Sequence, residues 1–428
     1  MKSTAPFALA LLMPCISAAG LPDPVLPATV GVNIHFTRGR DKDLDMIAAA
    51  GFRVIRMDFT WQGIEREKGA YDWSAYDELT AGLESRGLRP YYILDYSHKL
   101  YEDLVTTKSP PFNKEVQSPA APRKPESVAA FARWAGEAAR RYRGRGVIWE
   151  IWNEPNIKFW KPEPNVTNYT TLALATCKAV RAADPEATIV APGTSTFPWP
   201  FLEEFFRAGA LEHLAAVSVH PYRDYRKGPE TAGADYARLR ELMDRYAPAA
   251  RKGKIPILSG EWGYATHDKG VTPDTQAAFL VRQQLYNLYE RIPVSIWYDW
   301  KNDGTDPAER EHNFGTVTHD LRPKPAYSAI ATMTRTLDGC RVLRRLKTDS
   351  EEDWALLLAD AKGAHRLAAW TTGQPHDIAI PLRAGAHAAL ERTSGLGEKS
   401  QIVPNNGRLA ISLAQLPQYI LLGAATPE

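Results

Sequence analysis

The chain has 428 residues, of which 44% are apolar and 24% charged, and its formal net charge is +2. That length exceeds one ordinary domain but suits a barrel with a small appendage, and the apolar fraction is enough to fill a large core. A near-neutral balance gives electrostatics no reason to select nucleic acid or an anionic membrane as partner.

The first 20 residues have the three parts of an export signal. Lys2 supplies a positive start, Pro6 to Met13 a short apolar core, and Ser17-Ala18-Ala19-Gly20 small residues for cleavage. The expected location is therefore the periplasm or the exterior. No other stretch reaches about 18 uninterrupted apolar residues, so no membrane span is expected. After cleavage only Cys177 and Cys340 remain. Two lone cysteines far apart read as buried thiols rather than a disulfide framework or zinc site, although they could pair.

Eight short apolar runs then alternate with helical patterns. They are Thr29–Phe36, Phe52–Phe59, Leu88–Ser97, Val147–Pro155, Ala187–Ser195, Ala216–Tyr222, Ile255–Gly263 and Pro293–Trp300. Helices are expected at Ser127–Tyr142 and Gln276–Arg291, among others. Strand and helix repeated eight times, with strands apolar on both faces, is the grammar of a (β/α)₈ TIM barrel. An open doubly wound sheet rarely needs eight units, and no glycine-rich phosphate loop follows the first run. Asp41, Asp43 and Asp45 read as charges at a helix start rather than a calcium loop. The segment His98–Lys124 is a long insertion that either shapes the cleft or forms a surface excursion. Past Asp338 helical periodicity stops. Short strand-like runs at Asp353–Asp360, His365–Thr372, His376–Leu382 and Pro417–Gly423, with a turn at Asn405-Asn406-Gly407, predict a small all-β sandwich. The expected organisation is a signal over 1–20, a catalytic barrel over 21–338 and an accessory β-domain over 339–428.

The C-terminal ends of the barrel runs are polar. They carry His35, Arg56 with Asp58, Asp95, Asn153 with Glu154, His220 with Tyr222, Glu261, and Asp299 with Lys301. Barrel enzymes gather their reacting groups at that rim. Glu154 and Glu261 end the fourth and seventh runs, which face each other across the mouth of a closed barrel. Glycoside hydrolysis needs two such carboxyl groups, one protonated and one ionised. Arg56, His220 and Tyr222 are candidate donors to Glu261, whereas the segment around Glu154 holds no cation. That asymmetry assigns Glu154 as acid/base and Glu261 as nucleophile.

The segment WEIWNEPN resembles the acid/base strand of clan A glycoside hydrolases. The run EIWNEPNIKFW is most similar to family 39. SGEWG and the tail Glu311–Tyr327 are similar to family 5 and to bacterial exopolysaccharide glycosidases. The resemblance covers the barrel and extends to the appended β-domain. It implies that Asn153 binds the sugar 2-hydroxyl and that Arg56, His220 and Tyr222 complete the site. It also implies a tryptophan floor from the eighth strand, Trp300 or else Trp297. It implies retention of configuration, which requires carboxyl groups roughly 5–5.5 Å apart.

His35 on the first strand is a further substrate-binding candidate. Phe159-Trp160, Phe197 to Pro200, Trp262 and Tyr264 are candidate stacking platforms for sugar rings. Several platforms favour a polymer cleft, so the expected protein is a monomeric, endo-acting retaining β-glycosidase on an extracellular poly- or oligosaccharide. It needs no metal or cofactor. The alternatives are an exo-acting β-xylosidase-like enzyme, a transglycosidase, and a catalytically silent carbohydrate-binding barrel.

Overall fold

The computed structural model describes residues 20–109, 114–383, 388–423 and 427. The export segment and Phe112 lie outside these residues. Eight parallel strands close into a barrel: Val30–Asn33, Val54–Thr60, Arg89–Asp95, Ile148–Ile151, Thr188–Ser195, Ala216–His220, Ile257–Trp262 and Ser295–Trp297. Each lies inside one of the eight apolar runs except the second, which extends one residue past Phe59 to Thr60. Side chains alternate along every strand. One set, including Val54, Tyr91, Ile148, Val190, Ala216, Leu258 and Ile296, plugs the barrel interior. The other set, including Val30, Ile55, Tyr92, Trp149, Ile189 and Trp297, packs outward against the helices. Burial on both faces explains why the runs read as continuously apolar.

The helices begin where capping chemistry allows. Pro125–Arg141 starts with proline, whose missing N–H costs nothing in the first turn. Pro273–Tyr289 starts the same way, and the Thr272 hydroxyl accepts the Thr275 N–H. Both therefore begin two or three residues before the expected starts. Asp41–Ala49 opens on the acidic cluster. Asp41 and Asp45 pair with Arg86, while Asp43 is buried.

The long insertion holds a β-hairpin, Leu104–Ser109 against Lys114–Pro119. Its base is anchored by Tyr101, stacked on Trp61 at 5.1 Å, and by buried Glu102, which accepts the Arg123 and Lys124 N–H groups. None of its described residues lines the cavity at the carboxyl pair.

From Arg341 onward the chain is antiparallel β. Six strands form one sheet, and His376–Pro381 pairs with Arg408–Leu413 in a second. Ala355, Leu357, Leu367 and Ala369 of the first sheet pack with Ile380, Leu409, Ile411 and Leu413 of the second, which makes a sandwich. Asn406 and Gly407 both have positive φ in the tight turn leading into Arg408–Leu413. The opposite face of the six-stranded sheet, with Trp354, Leu356, Leu358, Trp370 and Tyr419, belongs to the same apolar cluster as the barrel's helix layer. Trp354 meets Tyr286 edge-on, and the Trp370 indole N–H donates to Glu230 at 2.8 Å. Cys177 and Cys340 are buried free thiols. Among the described residues no helix is long and apolar enough to cross a membrane.

Candidate active site

Above the apolar plug the barrel interior turns polar, and Arg56 organises it. Its guanidinium carries five donors and no acceptor. It donates to Glu261 Oε2 at 2.6 Å, to Glu150 Oε2 at 2.7 and 2.9 Å, to Asn153 Oδ1 at 2.8 Å and to Asn33 Oδ1 at 3.3 Å. Burial opposes its charge, but the carboxylates of Glu150 and then Glu261 outweigh burial and raise its pKa well above the ordinary arginine value. Glu150 is fully buried and also accepts from Tyr91 and Ser218. Burial would raise its carboxyl, yet Arg56 foremost, then His220 and Ser218, hold it below the usual range. The backbone leaves room for this layer. A Cβ at Gly260 would stand 2.3 Å from Ser218 Oγ, and one at Gly193, where φ is +59°, 2.7 Å from Glu150 Oε1.

Glu154 is presented by an unusual turn. Trp152 and Glu154 both adopt positive φ, 67° and 49°. For residues with a Cβ such geometry persists only when neighbours enforce it. Here the Trp152 N–H is tied to Leu94 O and the Glu154 N–H to Gly193 O. The turn brings Glu154 Oε1 to 3.0 Å from His220 Nδ1. Arg56 lies 3.3 Å from the other ring nitrogen, Nε2, and can only donate. Nε2 is therefore the acceptor, which puts the ring proton on Nδ1, facing Glu154.

Glu261 accepts from Arg56 through Oε2 and from the Tyr222 hydroxyl through Oε1 at 2.8 Å. Burial, then the Glu261 charge, pushes the Tyr222 phenol well up, so it remains a donor. One oxygen of Glu154, one of Glu261 and a His220 nitrogen lie within 4.8 Å of one another. Such a trio could hold a metal ion by spacing alone. The Arg56 cation on Glu261 opposes a second positive charge there, so the donor set suits a neutral ligand better.

The cavity over this pair measures about 540 Å³. The expected residues Arg56, Asn153, Glu154, Tyr222, Glu261 and His35 line it, and His220 lies buried beneath. His220 faces Glu154 rather than Glu261, which corrects one expected donor. His35 Nδ1 sits 3.0 Å from Asp303 and 3.6 Å from Asp299. Burial lowers the affinity of His35 for its proton, but the Asp303 hydrogen bond and the nearby aspartates prevail and raise its pKa to about 9.

The expected tryptophans do not line this cavity. Trp262 packs on Tyr264, and Trp160 packs between Trp152 and Tyr169. Trp300 donates its indole N–H to Asp43, and the alternative, Trp297, is fully buried. Strand register explains two of these differences. Tyr298 points into the mouth, so Trp297 must not; in the seventh strand the register slips between Ser259 and Trp262, which sends Glu261 into the mouth after the inward Gly260 and leaves Trp262 in the helix layer. Phe197 and Trp199 stack on each other, and Arg238 caps Trp199. The aromatic lining is instead Tyr96, Phe159, Tyr298 and Phe314. Phe159 is the one expected platform among them; Tyr96, Tyr298 and Phe314, with Glu150, Lys158, Arg310 and Glu311, were not singled out from the sequence. Parity along each strand was the signal available for two of them: Glu150 shares a face with Ile148 and Tyr298 with Ile296, whose side chains plug the barrel.

This barrel, with a glutamate at the end of each of two opposed strands, has the form of a clan A glycoside hydrolase. The chain belongs to the cellulase family, glycosyl hydrolase family 5, whose family profile matches residues 25–304. A β-xylosidase from Caldicellulosiruptor saccharolyticus is 24% identical over 241 residues, which cover 51% of this chain and 48% of that protein. The match thus spans about half of the length of that relative. Among solved structures, a family 39 glycoside hydrolase from Bacteroides cellulosilyticus WH2 superposes with a TM-score of 0.79 at 24% identity, covering 94% of this chain and 82% of the other. A monomeric β-xylosidase from Caulobacter crescentus CB15 gives 0.63 at 17% identity, covering 94% and 97%.

Proposed function

We propose that the protein is a retaining β-glycoside hydrolase that works by double displacement. The observation that carries this reading is the approach of the Glu154 and Glu261 oxygens to within 4.8 Å, with Arg56 and Tyr222 held on Glu261. That spacing suits direct attack and leaves too little room for the water that inversion places between its carboxyl groups. Glu261 attacks the anomeric carbon while Glu154 gives its proton to the departing oxygen. The His220 N–H occupies Glu154 Oε1, so the transferable proton resides on Oε2. Glu154 then takes a proton from water, which displaces Glu261 from the sugar.

The proposed substrate is an oligosaccharide or polysaccharide cleaved from its chain end. Apart from Phe159, the aromatic residues that suggested an extended groove are packed elsewhere, and the aromatic lining gathers around the carboxyl pair. The β-xylosidase relatives fit this mode, and one of them is monomeric, the state proposed here. An aryl β-glycoside panel with the Glu154→Gln and Glu261→Gln variants tests the assignment. Each change is expected to lower kcat by about 10²–10⁴-fold. Retention of wild-type turnover by both variants would contradict it. Early release of monosaccharide from long oligosaccharides is expected; mid-chain cuts first would instead indicate endo action.

A further inference from the structure

Two carboxyl groups meet beside the cavity, and among the described residues no cation forms an ion pair with either. Asp95 ends the third barrel strand, and its strand neighbour is Thr60 on the second. Asp58 lies two residues before Thr60, so Asp58 and Asp95 project from the same face of the sheet. Asp95 is wholly buried, and neither of its oxygens meets a donor. The Asp58 carboxyl stands diagonally across the two strands on the same face, and its charge acts on Asp95. Asp58 itself is partly exposed and lines the cavity next to Arg56, Tyr96 and Asn153. No cation forms an ion pair with it among the described residues.

A buried carboxylate facing another carboxylate without a donor is costly, and two carboxyl groups in contact resolve that cost by sharing one proton. Burial decides which of them keeps it: the sealed Asp95 is the acid and the cleft-facing Asp58 the base. Burial, then the Asp58 charge, accordingly pushes the Asp95 carboxyl well above the usual aspartate range. One Asp58 oxygen then accepts the Asp95 proton, which leaves acceptor capacity directed into the cavity.

We propose that Asp58 is a specificity-determining residue that accepts a hydroxyl group of the sugar bound beside the carboxyl pair, and that Asp95 is a positioning residue that donates its proton to Asp58. The proposal rests on the β-glycosidase reading. It implies that the bound sugar carries a free hydroxyl at that wall, so a substrate lacking or blocking this group is discriminated against.

The test uses aryl β-glycosides, the parent sugar and its series of monodeoxy analogues, with wild type, Asp58→Asn, Asp95→Asn and Asp95→Ala. Asp58→Asn is expected to lower kcat/KM for the parent by about 10- to 100-fold, the scale of a hydrogen bond to a charged group. For one deoxy analogue the same substitution is expected to have almost no effect. Asp95→Asn keeps an N–H donor and is expected to retain near-wild-type kcat/KM, whereas Asp95→Ala raises KM. An equal loss with Asp58→Asn on every analogue, or no loss on the parent, would overturn the proposal while leaving the hydrolase reading intact. A wild type silent on all glycosides would overturn both.

A second readout is independent of turnover. The groups facing Asp95 are Asp58 and Arg56 on the second strand, Glu150 on the fourth, Tyr76 from the helix Ser74–Glu84, and its chain neighbour Tyr96. A carboxyl raised in the folded state contributes stability that is fully present below its unfolded value and lost as pH rises through the folded one. The Tm of Asp95→Asn should therefore gain on that of wild type as pH rises from 4 to 8. A difference that stays flat across that range would mean Asp95 is an ordinary carboxylate and would overturn the shared proton.

Discussion

At Glu154 the nearest side-chain partner is an imidazole N–H; at Glu261 a guanidinium and a phenol converge. The ionised form of Glu261 satisfies both of its donors, and protonating either oxygen would weaken the bond it accepts. Glu154 gives one oxygen to His220 and leaves the other without a side-chain partner among the described residues. The proposed division of labour therefore resides in neighbours contributed by the second and sixth strands. A different electrostatic device operates at His35, whose ring lines the cavity against Asp303 and Asp299. Because its folded pKa is raised from 6.5 to about 9, its contribution to stability is complete below 6.5 and lost as pH rises through about 9. The His35 ring thus places a positive charge on the cleft wall at neutral pH, with Nδ1 on Asp303 and Nε2 3.1 Å from the Asn33 side-chain amide nitrogen. An NMR titration should place its midpoint near 9 in the wild type and clearly lower in Asp303→Asn. A wild-type midpoint close to 6.5 would remove the cation from the cleft wall.

The elements explain how much of this could be read in advance. The eight strands were legible because burial on both faces leaves continuous apolar runs, and the two glutamates because each ends such a run. Which way a flanking aromatic points was harder, since composition does not report parity. Trp297 looks like a sugar platform until alternation from Tyr298 sends it into the helix layer, and Trp262 until the register slip beside Glu261 does the same. The Asp58–Asp95 contact was also hidden, because it joins strands whose register no local pattern discloses. Glycines record the same register from the other side. Gly260 faces Ser218 and Glu150 across the barrel interior, with 2.3 and 3.2 Å from its would-be Cβ. Gly260→Ala should therefore force the Glu150–Arg56 layer apart and cost about 1–3 kcal/mol, as overpacking does. Urea unfolding measures this, and kcat should fall as well because Arg56 also holds Glu261. Unchanged stability with unchanged kcat would mean that the polar layer does not position the nucleophile.

At the scale of the molecule, the barrel supplies a rigid rim and the β-sandwich covers one side of its helix layer. Trp354 and Trp370 stack in parallel at 5.6 Å and share the barrel's apolar cluster, so the sandwich is packed onto the barrel through a common core. The sandwich was legible as a change of grammar past Asp338. Several of its strands, such as Leu390–Thr393 and Lys399–Ile402, were not, because they are short and polar on their exposed faces. The rim brings together groups from at least five strands, and the central claim concerns what they do jointly: a nucleophile and an acid/base close enough for two successive displacements at one carbon. Proton NMR of the first product formed from an aryl β-glycoside tests this most directly. The account expects the β-anomer to accumulate before mutarotation; initial appearance of the α-anomer would show inversion and contradict it.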